Sequence, residues 1–151
     1  MQQLVPPDFV VPQELHLAQM HLCKLTAALA DADYEAVMET QDRLRAHSPN
    51  GWPRHGFTLA ENLADLQRHE SEFDERIAFA YSVLSPAHDR VIGCVYVNPS
   101  DVADADVYLW MRETEHQRGM TTILRRAVEH WLSERWPFNH INYVRRAYYG
   151  Q

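Results

Sequence analysis

The sequence predicts a mixed α/β (α+β) domain, in which an antiparallel meander of strands joins a strand–helix–strand crossover and further helices lie at its flank. Three observations predict it. Extended segments between residues 79 and 111 are separated by short turns, a long amphipathic helix begins at Met120, and an apolar segment over residues 140–144 follows that helix. Short connections make neighbouring strands antiparallel, whereas a strand reached through a helix returns parallel and right-handed.

The elements follow in order along the chain. Pro6, Pro7 and Pro12 make residues 1–14 an extended arm, because proline fixes φ and removes a donor. Residues 15–22 alternate around Leu15, Leu17 and Leu22 and read as a first strand, although the alternation slips between Ala18 and Met20. From Thr26 to Ala46 the composition turns to helix formers, with Tyr34, Val37, Met38 and Leu44 on one face. The segment His47-Ser48-Pro49-Asn50-Gly51-Trp52-Pro53 is a loop by its turn chemistry. Thr58-Leu59-Ala60-Glu61 is a capping box that starts a helix, with Leu59, Leu63, Leu66, Phe73 and Ile77 as its apolar stripe. Strands are expected over residues 79–84, 91–97 and 106–111. The last helix spans about residues 120–135, with Met120, Leu124, Val128, Trp131 and Leu132 facing inward, and Pro137 stops it.

Composition narrows the function classes. A chain of 151 residues makes one domain, residues 15–151 behind the arm, and 46% apolar with 11% aromatic content is too rich for a disordered chain. No stretch approaches the roughly 18 consecutive apolar residues of a membrane span. The amino terminus lacks a secretory signal, so a cytoplasmic location is expected. Cys23 and Cys94 lie far apart and are expected as reduced thiols. A formal net charge of -7 argues against nucleic-acid binding and suits a cationic partner such as an amine. The nine histidines form no His-Glu-x-x-His motif or close ligand pair, so no metal is expected. Neither a nucleophile elbow nor a Walker loop is present.

Several segments together resemble the GCN5-related N-acetyltransferase (GNAT) family. Asp33-Tyr34-Glu35-Ala36-Val37-Met38 is similar to its first helix, and Arg90-Val91-Ile92-Gly93-Cys94-Val95-Tyr96-Val97 to its third strand. Val107-Tyr108-Leu109-Trp110-Met111-Arg112, a loop and the Met120 helix resemble its cofactor-binding strand and helix. The likeness spans nearly the whole chain from Leu15 and rests on layout. It implies acetyl-CoA as co-substrate, held along Trp110, Met111 and Arg112, with its pyrophosphate at Gln117, Arg118, Gly119, Met120, Thr121 and Thr122. In that family the loop reads Gln/Arg-x-x-Gly-x-Gly/Ala, since several amides must converge on one anion and small residues let it approach. Here it reads His116-Gln117-Arg118-Gly119-Met120-Thr121, which keeps the central glycine and changes both ends. Two readings of this loop stand: the threonines and Arg118 hold a phosphate, or Gly119 only permits a turn that the threonines cap.

The resemblance also implies a base that takes a proton from the amine. Asp104 and Asp106 at the entry to the Val107 strand are candidates, with Glu61 and His55 at the start of the capped helix. The chain stops soon after its last strand, so the family's terminal helix and hairpin are expected to be replaced by the arm or by a partner subunit, as in a homodimer with an open sheet edge. Tyr148 and Tyr149 are expected as ordinary tail residues. Two functions follow from the resemblance: direct acetyl transfer to an amine of a small molecule or peptide, or a non-catalytic binding protein that has lost the cofactor loop.

Overall fold

The computed structural model describes residues 2–48 and 50–144. Six strands form one sheet in the order β1-β2-β3-β4-β5-β6: β1 Glu14–His16, β2 His21–Lys24, β3 Phe79–Leu84, β4 Val91–Asn98, β5 Ala105–Met111 and β6 Ile141–Tyr143. The first five pair antiparallel, and β6 returns parallel to β5 after a helix. The helices are α1 Ala30–Glu39, α2 Gln41–His47, α3 Leu59–Asp74, the short α4 Glu113–Gln117 and α5 Met120–Arg135. No helix among the described residues is long and apolar enough to cross a membrane.

The single first strand expected over residues 15–22 is a hairpin. The slip in alternation is its turn, where Leu17 N–H donates to Met20 O, and His16 comes to lie opposite His21. Residues 2–13 contain no helix or strand and run along the core. Val5 is buried, Phe9 packs 5.3 Å from Trp136 between ring centroids, and Arg76 donates to Pro6 O and Phe9 O.

Each face of the sheet has its own core. β4 is buried on both faces, which is why it reads as an unbroken apolar run rather than an alternation. Val95 and Val97 face α5 with Tyr81, Val83, Val107 and Leu109, against Leu124, Val128, Trp131 and Leu132. Cys94, Tyr96 and Trp110 face α1 and α3 with Ala80, against Ala36, Val37 and Leu66. Gly93 has no side chain because β5 passes too close: a Cβ there would sit 2.4 Å from Trp110 O.

The capping box is present, with Thr58 Oγ1 accepting from Glu61 N–H at 3.1 Å and Glu61 Oε1 accepting from Thr58 N–H at 3.2 Å. The face of α3 is turned from the expected one. Leu59 and Leu63 are exposed, while Asn62, Leu66 and Phe73 are buried. The rotation has a polar cause: Asn62 Nδ2 donates to Ala30 O at 3.2 Å and to Asp33 Oδ2 at 3.0 Å on α1. A buried amide on one helix thus meets a buried carboxylate on another, and Leu59 and Leu63 are left outside while Leu66 and Phe73 keep their expected inward place.

Candidate active site

A cavity of about 480 Å³ opens between α1, α3, the loop before α3 and the inner face of β4 and β5. Trp52, Tyr96, Tyr108 and Trp110 supply its aromatic lining. Tyr96 and Tyr108 are cross-strand partners whose rings stack 4.4 Å apart, and Trp110 Nε1–H donates to Tyr96 Oη at 3.2 Å. Three carboxylates line it, Asp33, Asp65 and Glu72, against one guanidinium, Arg68. Arg68 lies 3.3 Å from Glu72 and 3.9 Å from Asp65.

Asp33 is the chemically distinctive member. It is 3% exposed, and burial pushes its carboxyl up to about 6, against the opposing effect of the hydrogen bonds from Asn62 and Cys94. Cys94 Sγ lies 3.9 Å away, its thiol raised by burial and then by the Asp33 charge. Asn62 Oδ1, buried beside Asp33, has no hydrogen-bond partner among the described residues. Two acceptors are therefore held side by side in an aromatic cavity. His69 also lines it, and burial brings that imidazole down to about 4, so it is neutral at ordinary pH.

The candidate bases read from the sequence lie elsewhere. Asp104 Oδ2 accepts from Asn139 N–H at 2.7 Å and His140 N–H at 3.0 Å, and these bonds hold its carboxyl below the usual range. Asp106 Oδ1 accepts from Asn142 Nδ2 at 2.8 Å. Both aspartates fasten β6 to β5, and neither is among the described residues lining the cavity. Glu61 is held low chiefly by its hydrogen bond from Arg54, and it also closes the capping box. His55 is exposed, with its carbonyl accepting from Arg54. Tyr148 and Tyr149 lie outside the described residues. Asp33 had no signal of its own in the sequence, where it is one of several acidic residues in an alanine-rich helix. Its burial depends on β4 and α3.

The segment expected to hold the cofactor divides into two parts. Among the described residues β6 pairs with Ala105, Asp106 and Val107, after which Val144 N–H donates to Val107 O. Arg112 N–H donates to Ile92 O, so even-numbered residues of β5 bond to β4 and odd-numbered ones face β6. Leu109 and Met111 therefore turn their backbone groups toward the β6 side, and both residues are buried. Met111 O accepts from Arg43 of α2, which also binds Glu113 at 2.8 Å. Trp110 and Arg112 point to the opposite face. Arg112 is 2% exposed and donates to Val91 O, Glu35 and Glu39, each at 3.1 Å.

The start of α5 suits an anion. Gly119 sits at its N-cap with φ 82, a left-handed conformation natural to glycine, and a Cβ there would meet nothing within 4 Å. No acidic residue occupies the first turn, whose free amides sit at the positive end of the helix dipole. Thr121 is buried and its hydroxyl is 2.7 Å from His116 Nδ1, so two departures from the family's loop pattern bond to each other. Gln117 donates to Glu113 and Arg118 to Glu115. The amides from Met120 to Thr122 thus fit a pyrophosphate, while the Met111 carbonyl already has a partner.

An amino-terminal hairpin, three helices, a three-strand antiparallel run, a long helix with a glycine at its start and a parallel strand together make the GNAT fold. Solved acetyltransferase structures match it. A putative ribosomal-protein-serine acetyltransferase from Vibrio cholerae superimposes with a TM-score of 0.68 at 15% identity, over 91% of this chain and 74% of that one. RimL, a ribosomal L7/L12 alpha-N-protein acetyltransferase, gives 0.61 at 16% identity over 82% of this chain, which spans under two thirds of that protein, 64%. The microcin C7 self-immunity acetyltransferase MccE, in complex with acetyl-CoA and AMP, gives 0.63 at 11% identity, over 80% of this chain and 67% of that one. No protein-family model and no curated protein matches the sequence.

Proposed function

We propose that this chain is an acyl-CoA-dependent N-acyltransferase, moving an acetyl group from acetyl-CoA to an amine bound in the cavity between α1, α3 and the sheet. Asp33 carries this reading: a buried carboxylate that titrates near pH 6, in an aromatic cavity against the strand that the GNAT fold uses for its cofactor. A general base works best when its pKa lies near the operating pH. Acetyl-CoA supplies the activated carbonyl, and the amides from Met120 to Thr122 would hold its pyrophosphate. An amine arrives as a cation, favoured by the carboxylate-rich lining. Asp33 accepts its proton, directly or through water, and Asn62 Oδ1 takes a hydrogen bond from the neutral nitrogen that results. The aromatic lining keeps water from competing with that nucleophile. Residues 15–151 act as the one catalytic domain in this reading, with residues 1–14 as its arm.

A second reading, a binding protein on the same fold, is favoured by the Arg43–Met111 contact at the point where a cofactor would pair with β5. Titration with acetyl-CoA followed by heat release separates the two. Saturable binding that weakens in a Gly119→Val variant supports the transferase, and acetyl transfer to an amine panel then identifies the acceptor. Absence of binding at millimolar acetyl-CoA removes the transferase reading and leaves the binding one.

A further inference from the structure

The hairpin β1–β2 carries a constellation that acyl transfer does not use. Glu14 lies opposite Cys23 and His16 opposite His21. Residues two apart on a strand share a face, so these four side chains stand on one side of the sheet, while Leu15 and Leu22 point into the core on the other. Glu14 Oε1 is 3.2 Å from His21 Nε2 and 3.9 Å from His16 Nε2. One ligand atom from each of Glu14, His16 and His21 lies within 4.8 Å of the other two. The turn between β3 and β4 brings His88 to the same place, its ring centroid 4.3 Å from that of His21 and 6.5 Å from that of His16. His21 is 4% exposed, and its Nδ1 has no hydrogen-bond partner.

We propose that Glu14, His16 and His21 bind one divalent cation of the zinc class, with His88 as the fourth ligand. Two or three imidazoles with one carboxylate are a donor set for a borderline metal, and a β-hairpin presents cross-strand and next-but-one residues on one face. Bonds of about 2.0–2.1 Å at tetrahedral angles place ligand atoms roughly 3.3 Å apart. For Glu14, His16 and His21 the observed spacing reaches that value by small rotations of Glu14 and His16, whose side chains are 59% and 69% exposed. The His88 ring, stacked on His21 with planes 11° apart, must turn to join them. None of the four residues lines the acceptor cavity, so the role is structural. The ion ties β1, an edge strand of three residues, to the β3–β4 turn.

The test uses tag-free protein stripped with chelator and titrated with zinc chloride, with cobalt chloride as an absorbing substitute. One equivalent of zinc binds, the melting temperature rises, and bound cobalt shows the visible absorption of nitrogen and oxygen coordination at low coordination number. Glu14→Gln and His16→Ala each weaken binding, by roughly tenfold or more. Both residues are exposed, so circular dichroism of the metal-free variants stays that of the parent. Zinc affinity unchanged in the Glu14→Gln/His16→Ala double variant overturns the site, as does the absence of saturable binding by the parent chain. Unchanged affinity in His88→Ala refutes the fourth ligand.

Discussion

Replacing Asp33 by asparagine should stabilise the protein at neutral pH while removing its proposed activity. The carboxyl is pushed up by burial to about 6 from the ordinary aspartate value of 3.8, so the folded state holds its proton more tightly than the unfolded chain does. Between those two values the folded state binds more protons, and stability falls as pH rises. About two pKa units at 1.36 kcal/mol each give a loss of about 3 kcal/mol, complete a little above pH 6. Asparagine cannot ionise and avoids that loss. It gives up the charge-assisted bond from Asn62, about 1 kcal/mol, but its new amide can donate to the unpartnered Asn62 Oδ1. Urea unfolding from pH 4 to pH 8 measures both proteins. The parent should lose about 2–3 kcal/mol relative to Asp33→Asn between pH 4 and pH 7, leaving the variant the more stable by about 2 kcal/mol at pH 7. Acetyl transfer should fall by about 10²–10⁴-fold. Parallel stability curves for the two proteins would refute the buried, late-titrating carboxylate.

Other substitutions probe the scaffold. Gly93→Ala pushes a methyl into Trp110 O and Met111 Sδ, at 2.4 and 2.7 Å, and should cost about 3 kcal/mol or more in thermal or urea unfolding. Thr58→Ala removes the cap from α3 and should cost about 1 kcal/mol, read as an unchanged urea slope with a lower midpoint. Arg112→Met leaves Val91 O without its buried donor and removes one partner of Glu39, which keeps its bonds from Thr114, and about 2 kcal/mol of destabilisation in urea is expected.

What could be read from the sequence was local. The Thr58–Glu61 box announces the start of α3 because both halves of the cap sit within four residues. The α5 face was legible because Leu124, Val128, Trp131 and Leu132 follow helical spacing. Where a polar group takes an inward position, pattern misleads. Asn62 took the inward place expected of Leu59 and Leu63, while Leu66 and Phe73 of the same stripe stayed buried as expected. The site was hidden for the same reason. Asp33 gains its character from burial under elements distant in sequence, among them its bonded neighbours Asn62 and Cys94, which lie 29 and 61 residues away in the chain. The histidine cluster was hidden by register: read as one strand, residues 15–22 keep His16 and His21 apart, whereas the turn at Ala18–Met20 makes them partners. Gly119 was legible as a turn-former, but the bond between His116 and Thr121 was not.

Arg43 reaches through to the far edge of β5, while its neighbour Leu44 forms part of the wall of the cavity beneath α1 and α3. A ligand that lays its own donor on the Met111 carbonyl competes with that guanidinium, and the residue it displaces is one peptide bond from the cavity. In the proposed transferase, α2 would touch both ligands through two consecutive side chains. Under the proposed function, occupancy at the strand edge and the width of the cavity would be linked quantities, and linkage of that kind runs in both directions. An acceptor that fits only one position of Leu44 would shift the apparent affinity at β5 by the same factor that occupancy at β5 shifts its own.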